Sequence, residues 1–149
     1  MLKILIAVDG SELSLDAVHY ALNLVQQGLQ ASFVLANVQE SATLYEMVVA
    51  HDPLVLQQVS LDAGTHQLAA AQALVSAADI EFDSVVESGD PVNMLLDIAE
   101  REACDAIILG AKGHGNLLGS IMGSVSQQMV QDCPIPVTVV KHAQQEEPA

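Results

Sequence analysis

The sequence has few positive charges, few aromatic side chains and few cysteines. Only 4 of its 149 residues are Lys or Arg, against 19 Asp and Glu, so the formal net charge is -15. Four cations cannot neutralise a row of phosphates or an anionic membrane surface, which argues against a nucleic-acid-binding or membrane-surface protein. The 2 cysteines, Cys104 and Cys133, are too few for a disulfide scaffold. We interpret both as small apolar residues in or near a core.

Long apolar runs are also missing. The opening run Met1–Val8 stops at Asp9, which is too short for a signal sequence or a membrane span. We therefore expect a cytoplasmic protein. What the chain does have is 51% hydrophobic residues at the length of one domain. That is enough for a single core and excludes intrinsic disorder.

Strand-like and helix-like segments alternate along the chain. Apolar runs predict strands over Lys3–Val8, Ala31–Val38, Ile80–Glu87, Ala106–Leu109 and Val137–Lys141. Periodicity and end signals predict helices over Ser11–Gly28, Pro53–Ala78, Pro91–Arg101 and Ser124–Gln131. A strand, helix and strand within 40 residues imply a parallel crossover. The predicted fold class is therefore α/β with a parallel sheet.

Several residues predict how the helices begin, end and face the core. Ser11 and Asp90 are expected N-caps, and Gly28 is an expected C-terminal stop. The first helix is expected to bury the face Leu15, Val18, Leu22 and Val25. In the second helix, seven residues are expected to lie on one, only partly apolar, side: Leu54, Gln58, Leu61, Thr65, Leu68, Gln72 and Val75. Gly64 lies inside the second helix, where it costs about 1 kcal/mol relative to Ala and is expected to mark a kink.

Two polar segments follow predicted strands, where parallel sheets bind ligands. Asp9-Gly10-Ser11 follows the first strand, and Gly110–Asn116 follows the fourth. The second segment leads to Gly123–Ser126 at the start of a helix, whose free N–H groups suit a phosphate. Lys112 is the only cation there. These features predict an anion site built mainly from backbone groups.

The familiar phosphate motifs do not fit this segment. A P-loop needs a glycine followed by lysine, and no such pair occurs in the chain. The dinucleotide fingerprint requires G-x-G-x-x-G after the first strand. Gly113, Gly115 and Gly119 follow the fourth strand with a different spacing.

The pattern that fits is G-x2-G-x9-G-[ST], formed by Gly110, Gly113, Gly123 and Ser124. The same chain also contains three further segments: Ile-Ala-Val-Asp-Gly-Ser near its start, Val-Glu-Ser-Gly-Asp-Pro at 86–91, and Cys-Pro-Ile-Pro-Val-Thr-Val-Val near its end. Together these segments make residues 1–141 resemble the universal stress protein family, with 142–149 as a polar tail. The resemblance implies a single-domain, open five-stranded parallel sheet in the order 3-2-1-4-5, with helices on both faces.

The resemblance also implies the ATP-binding subgroup of that family. By position, Asp9 and the backbone of Val38 would face the adenine and ribose, and Ala7 would lie beside the base in place of a common proline. The remaining positions carried over would hold ribose and phosphates: Gly110, Lys112, Gly113, His114, Gly115, Asn116, Gly123, Ser124, Val125 and Ser126. Lys112 and His114 stand where relatives often have arginine. The ligand would be ATP, ADP or AMP, with Mg²⁺ held through the phosphates and not by a protein site.

Some of these residues have a simpler interpretation. Ser11 fits a helix cap better than a ligand contact, whereas for Asp9 we favour ligand contact because of its position. His114 is typical of a solvated loop histidine, with phosphate or metal contact as the alternative. Met122 and Met129 fit packing better than recognition.

Together with these residues, the family resemblance implies a homodimeric regulator or sensor in the stress response, whose binding to a protein partner depends on the nucleotide. The dimer would pair the last strand, Val137–Val140, with its copy, as the family resemblance also implies. One alternative is a slow ATP hydrolase or phosphoryl- or adenylyl-transfer enzyme, although the only arginine, Arg101, lies outside the glycine-rich segment. Another alternative is an interaction module that has lost nucleotide binding.

Overall fold

A computed structural model of the protein describes residues 1–40, 53–111 and 123–142. Its elements follow one another as β1 (Leu2–Ala7), α1 (Glu12–Gln26), β2 (Ala31–Gln39), α2 (Pro53–Ala77), β3 (Phe82–Ser88), α3 (Pro91–Arg101), β4 (Ala106–Gly110), α4 (Ser124–Asp132) and β5 (Val137–Val140). The strands form one sheet in the order β3-β2-β1-β4-β5. All pairings are parallel. The predicted α/β class and the strand order 3-2-1-4-5 are confirmed.

Alternate residues of the central strands bury themselves on opposite faces of the sheet. Ile4 and Phe33 pack with α1 and α2, whereas Leu5 and Val34 pack with α3 and α4. Because β1 and β2 are covered on both sides, they read as continuous apolar runs and not as alternating ones. The prediction of helices on both faces is confirmed. Within the part of the chain that the structure describes, no helix has both the length and the apolar character needed to cross a membrane.

The helix ends follow the predicted signals. Ser11 caps α1, with its Oγ accepting a hydrogen bond from the Ser14 N–H at 3.2 Å. At the other end of α1, Gly28 adopts φ +114°, and the Leu29 N–H returns to the carbonyl of Leu24 at 3.0 Å. This is the Schellman arrangement, which needs a left-handed residue. Asp90 caps α3 through the N–H of Asn93 at 3.0 Å.

The predicted inward face of α1 is only partly right. The buried positions of α1 are Ser14, Ala17, Val18 and Ala21. Leu15, Leu22 and Val25 are only partly buried at the edge of that face. Small side chains bring the helix backbone close to the sheet, so the larger ones are displaced to the flanks.

The predicted side of α2 is wrong over its first half. Leu54 and Leu61 are 73% and 50% exposed. Burial instead follows Ser60, Gly64, Leu68, Ala71 and Val75. The helix is continuous through Gly64, and a Cβ built there would lie 2.4 Å from Val86 Cγ1. Glycine at this position is therefore explained by the close approach of α2 to β3.

The cysteines and the last described residue also bear on the sequence predictions. Cys104 is buried and Cys133 is half-buried, both as free thiols. Both pack against the core beneath α3 and α4, as interpreted, and burial raises the pKa of the Cys104 thiol. His142, the first residue of the predicted polar tail, places its Nδ1 2.6 Å from Asp16 Oδ2 of α1. The rest of the predicted tail, 143–149, lies outside the described residues.

Candidate functional site

A cleft of about 140 Å³ opens at the carboxyl ends of β1, β2 and β4. The chain passes from β1 to β2 on one side of the sheet centre, whereas β4 lies on the other side of β1. Ligands of open α/β sheets bind at such a reversal of strand order. The apolar lining comprises Ala7, Val8, Leu13, Ala36, Val38, Pro91, Leu95, Leu109 and Val125. The polar lining comprises Asp9, Ser11, Ser14, Glu40 and Ser126, with the backbone of Gly110.

The structure brings together most of the predicted site residues that it describes. The cleft is lined by Ala7, Asp9, Val38, Gly110, Val125 and Ser126. Ser124 lines an adjoining cleft that shares Glu40, Pro91 and Val125 with the first. Gly123 is the N-cap of α4. The other predicted positions, Lys112, Gly113, His114, Gly115 and Asn116, lie outside the described residues, as does Met122.

Asp9 is held by the first turn of α1. Its Oδ1 accepts hydrogen bonds from the N–H of Ser11, at 2.8 Å, and from the Ser11 hydroxyl. Its own N–H donates to Ser14 Oγ at 3.3 Å. Among the described residues none donates to Oδ2, and the Asp9 side chain is exposed. Ser11 acts as a cap, as interpreted, and it also orients Asp9.

Gly110 has a packing role of its own. A Cβ built at this position would lie 2.2 Å from the carbonyl oxygen of Leu13. The glycine therefore lets the end of β4 approach the first turn of α1. Ser126 donates its hydroxyl to the Gly110 carbonyl at 3.3 Å, so this hydroxyl, which we expected to serve a phosphate, also ties α4 to β4.

No side chain within the described ranges caps the N-terminus of α4. Gly123 has no side-chain oxygen, and the first bond from the turn runs from the Gln127 N–H to the Gly123 carbonyl at 3.0 Å. The N–H groups of residues 124–126 therefore have no acceptor among the described residues. In α3 the corresponding position holds the capping carboxylate of Asp90. The first turn of α4 thus combines N–H donors that bond to no described residue with the positive end of a helix dipole at the cleft.

The charged side chains that line the described part of the cleft are both acidic, Asp9 and Glu40. Arg101 is engaged elsewhere, with its guanidinium 2.9 Å from the carboxylate of Glu87. Within residues 1–40, 53–111 and 123–142, no three His, Cys, Asp or Glu side chains come together as metal ligands do. For binding an anion, the described residues therefore provide backbone N–H groups and the N-terminus of a helix.

Sequence reasoning missed several lining residues. Ala36 was detectable, because it precedes Val38 by two positions and so lies on the same side of β2. Pro91 was recognised as the start of α3, but nothing local placed it or Leu95 at the cleft. Glu40 had no signal, since its position depends on where β2 ends.

Comparison with known proteins gives a consistent relationship over nearly the whole chain. The sequence profile described as the universal stress protein family matches residues 1–141. Universal stress protein MJ0531 of Methanocaldococcus jannaschii is 24% identical over 144 residues, which cover 97% of this chain and 84% of the relative.

Solved structures share the fold. The structure of the hypothetical protein MJ0577 matches with a TM-score of 0.79 at 22% identity, covering 97% of this chain and 98% of the other. An Arabidopsis thaliana universal stress protein family protein with AMP bound matches with a TM-score of 0.71 at 19% identity, covering 100% and 97%. A universal stress protein in complex with cAMP matches with a TM-score of 0.65 at 21% identity, covering 95% and 98%.

Proposed function

The chain belongs to the universal stress protein family, and from that premise we propose that its cleft binds an adenine nucleotide that regulates the protein. One observation carries the proposal. An apolar cleft at the reversal of strand order ends at the N-terminus of α4, which no described side chain caps, and is bordered by Asp9 Oδ2, to which no described residue donates. AMP and cAMP in two structures of the same fold support an adenine nucleotide as the ligand.

Each part of a nucleotide has a matching surface in this proposal. The base packs on the apolar lining around Ala36 and Val38, beside Ala7. Asp9 Oδ2 accepts a hydrogen bond from a ribose hydroxyl or a base amino group. The phosphates take the N–H groups of Ser124–Ser126, which bond to no residue that the structure describes, with Gly110 at the turn between ribose and phosphates. The contribution of the glycine-rich segment 110–116, with Lys112 as its cation, stays a prediction from the sequence.

Local donors carry the binding in this proposal, because the net charge of -15 opposes a polyanion. Hydrogen bonds to charged groups contribute about 1.5–3 kcal/mol each. The charges elsewhere on the surface are screened beyond about 8 Å at physiological ionic strength. ATP would bring Mg²⁺ on its phosphates, which offsets part of the repulsion from Asp9 and Glu40.

The first experiment identifies the ligand that purified protein carries. The protein is denatured, and the released small molecules are identified by mass and quantified against the protein. We expect adenine nucleotide in near-stoichiometric amount. Protein that carries none is then titrated with AMP and ATP by calorimetry, and the absence of binding by either nucleotide would refute the proposal.

A matched pair of variants tests whether the cleft is the site. Ala7→Leu adds volume inside the cleft, whereas Ala106→Leu makes the same change at the half-buried start of β4, at the opposite end of the sheet. Steric conflicts of this kind cost about 1–3 kcal/mol. We expect Ala7→Leu to weaken AMP binding by about tenfold or more and Ala106→Leu to leave it unchanged. Equal losses in the two variants would indicate a general effect of stability.

We also propose that the protein forms a homodimer through β5. Among the described strands, β5 is an edge of the sheet and pairs with β4 alone. Its exposed Thr138 allows a charge to be added without disturbing the core. We expect light scattering to report a dimer for the native chain and a monomer for Thr138→Lys, since a charge on an edge strand opposes pairing. A cytoplasmic location and a nucleotide-dependent protein partner stay predictions.

A further inference from the structure

Three amide side chains form a hydrogen-bonded group beneath the first turn of the proposed site. We call Asn37 and Gln39 of β2 and Gln67 of α2 the amide cluster. Asn37 Nδ2 donates to Gln67 Oε1 at 2.7 Å. Gln39 Nε2 donates to Asn37 Oδ1 at 2.7 Å and to Gln67 Oε1 at 2.9 Å. Asn37 is fully buried and Gln39 is 9% exposed, so breaking these bonds would leave polar atoms without water.

The amide cluster holds the peptide that leads into Asp9. The remaining hydrogen of Asn37 Nδ2 is donated to the Val8 carbonyl at 2.8 Å. The N–H on the other side of that peptide belongs to Asp9 and donates to Ser14 Oγ at 3.3 Å. The plane of the Val8–Asp9 peptide is therefore set from both sides, by β2 and by α1. The orientation of this peptide determines where Asp9 lies at the cleft.

Gln67 also supports the next residue of the turn. Gly10 adopts φ +86°, and a Cβ built on it would lie 3.0 Å from Gln67 Cγ. Gln67 reaches this position because Gly64, one helical turn earlier, lets α2 approach Asn37, whose Oδ1 would lie 2.9 Å from a Cβ there. The turn thus rests on a side chain of α2, although α2 packs on the face of the sheet opposite α3 and α4.

We propose that Gln67 is a positioning residue: through Asn37 and Gly10 it sets the place of Asp9 in the cleft and so the affinity for nucleotide. Only the effect on nucleotide affinity rests on the proposed function, since the position of the turn can be measured without ligand.

The chain offers a matched control on the same helix. Gln72 is a glutamine of α2 whose Nε2 donates to Ser84 Oγ of β3 at 2.8 Å, away from the turn. Gln67→Met and Gln72→Met remove one amide each at similar volume. Gln67→Glu is the conservative variant, because its carboxylate still accepts from Asn37 Nδ2 and Gln39 Nε2.

The first readout uses the ligand-free chain. Amide NMR signals of Val8, Asp9 and Gly10 are expected to shift or broaden in Gln67→Met, but to stay at their wild-type positions in Gln72→Met and largely so in Gln67→Glu. Unchanged turn signals in a folded Gln67→Met protein would overturn the inference. Equal changes in Gln72→Met would overturn it too.

The second readout is the dissociation constant for AMP. We expect Gln67→Met to weaken binding by about fivefold, the effect of about one hydrogen bond. Gln72→Met should stay close to wild type, and Gln67→Glu, whose added charge opposes an anion, should weaken binding by less than Gln67→Met does. In an Asp9→Asn background, Gln67→Met should weaken AMP binding little further. If Gln67→Met acted only through a general loss of stability, its effect on AMP binding would add to that of Asp9→Asn. Additive effects would contradict positioning through Asp9. Failure of the wild-type chain to bind AMP would refute the proposed function, and the ligand-free spectra would still decide the inference.

Discussion

Replacing Gly123 with Asp is predicted to raise the stability of the fold and to weaken ligand binding. Gly123 is the N-cap of α4 and adopts φ -64° and ψ 162°, a conformation open to any residue. The change Gly123→Asp therefore introduces no backbone strain. Its carboxylate would accept hydrogen bonds from the N–H groups of the first turn, as Asp90 does at the start of α3. The donors assigned to phosphate would then be occupied by the protein.

The two effects can be estimated separately. Asp in place of Gly at an N-cap gains a few tenths of a kcal/mol from the cap, and a carboxylate at a helix N-terminus adds about 0.3–1 kcal/mol. The free energy of unfolding is thus expected to rise by about 0.5–1 kcal/mol. A phosphate that loses one charge-assisted hydrogen bond forfeits about 1.5–3 kcal/mol. Since 1.4 kcal/mol is a factor of about ten, AMP binding should weaken by about 10- to 100-fold.

Calorimetric titration with AMP and urea denaturation measure the two quantities on the same preparations. Gly123→Ala is the control, since it adds a side chain without charge or acceptor. We expect it to lower stability by about 0.5–1 kcal/mol and to change affinity by less than about threefold. Wild-type affinity in Gly123→Asp would show that phosphate does not lie at the N-terminus of α4 and would refute this part of the site.

Three further predictions test the electrostatics and the packing. The hydrogen bond to Asp16 and the negative charge of Asp16 raise the pKa of His142. The pair therefore stabilises the fold fully below the ordinary histidine pKa, and this stabilisation is lost as pH rises through the raised pKa. NMR titration of the His142 ring should show the raised pKa, and Asp16→Asn should lower it. Because the net charge of -15 repels nucleotide, the stopped-flow association rate of ATP should rise or stay constant between about 50 and 300 mM salt, and a steep fall would contradict the account. Gly64→Ala should destabilise the fold by about 1–3 kcal/mol in urea denaturation despite the better helix propensity of Ala, and Val86→Ala should relieve much of that loss; a stabilising Gly64→Ala would contradict the close approach of α2.

Most of the fold is predictable because its signals are local. Ser11, Asp90 and Gly28 act on their own helix ends, and the apolar runs of β1 and β4 follow directly from burial on both faces. The inward faces of α1 and α2 were less predictable. Their burial depends on how closely each helix approaches the sheet, which small residues such as Ala17 and Gly64 determine.

The candidate site divides in the same way. Asp9 and the start of α4 were predictable, because a turn after a strand and a glycine before a helix are visible in the sequence. Glu40 and Pro91 were not, because only the register of β2 and the packing of α3 bring them to the cleft. The role of Gln67 was hidden for a similar reason, since its partners Asn37 and Gly10 are distant in the chain.

The central claim is that the cleft between β1 and β4 captures an adenine nucleotide with its backbone donors. The most direct measurement is an amide NMR titration of the ligand-free protein with AMP. The account predicts saturable shifts at Asp9, Val38, Gly110 and Ser124–Ser126, with little change along β3. Shifts confined to another surface, or none at millimolar AMP, would contradict it.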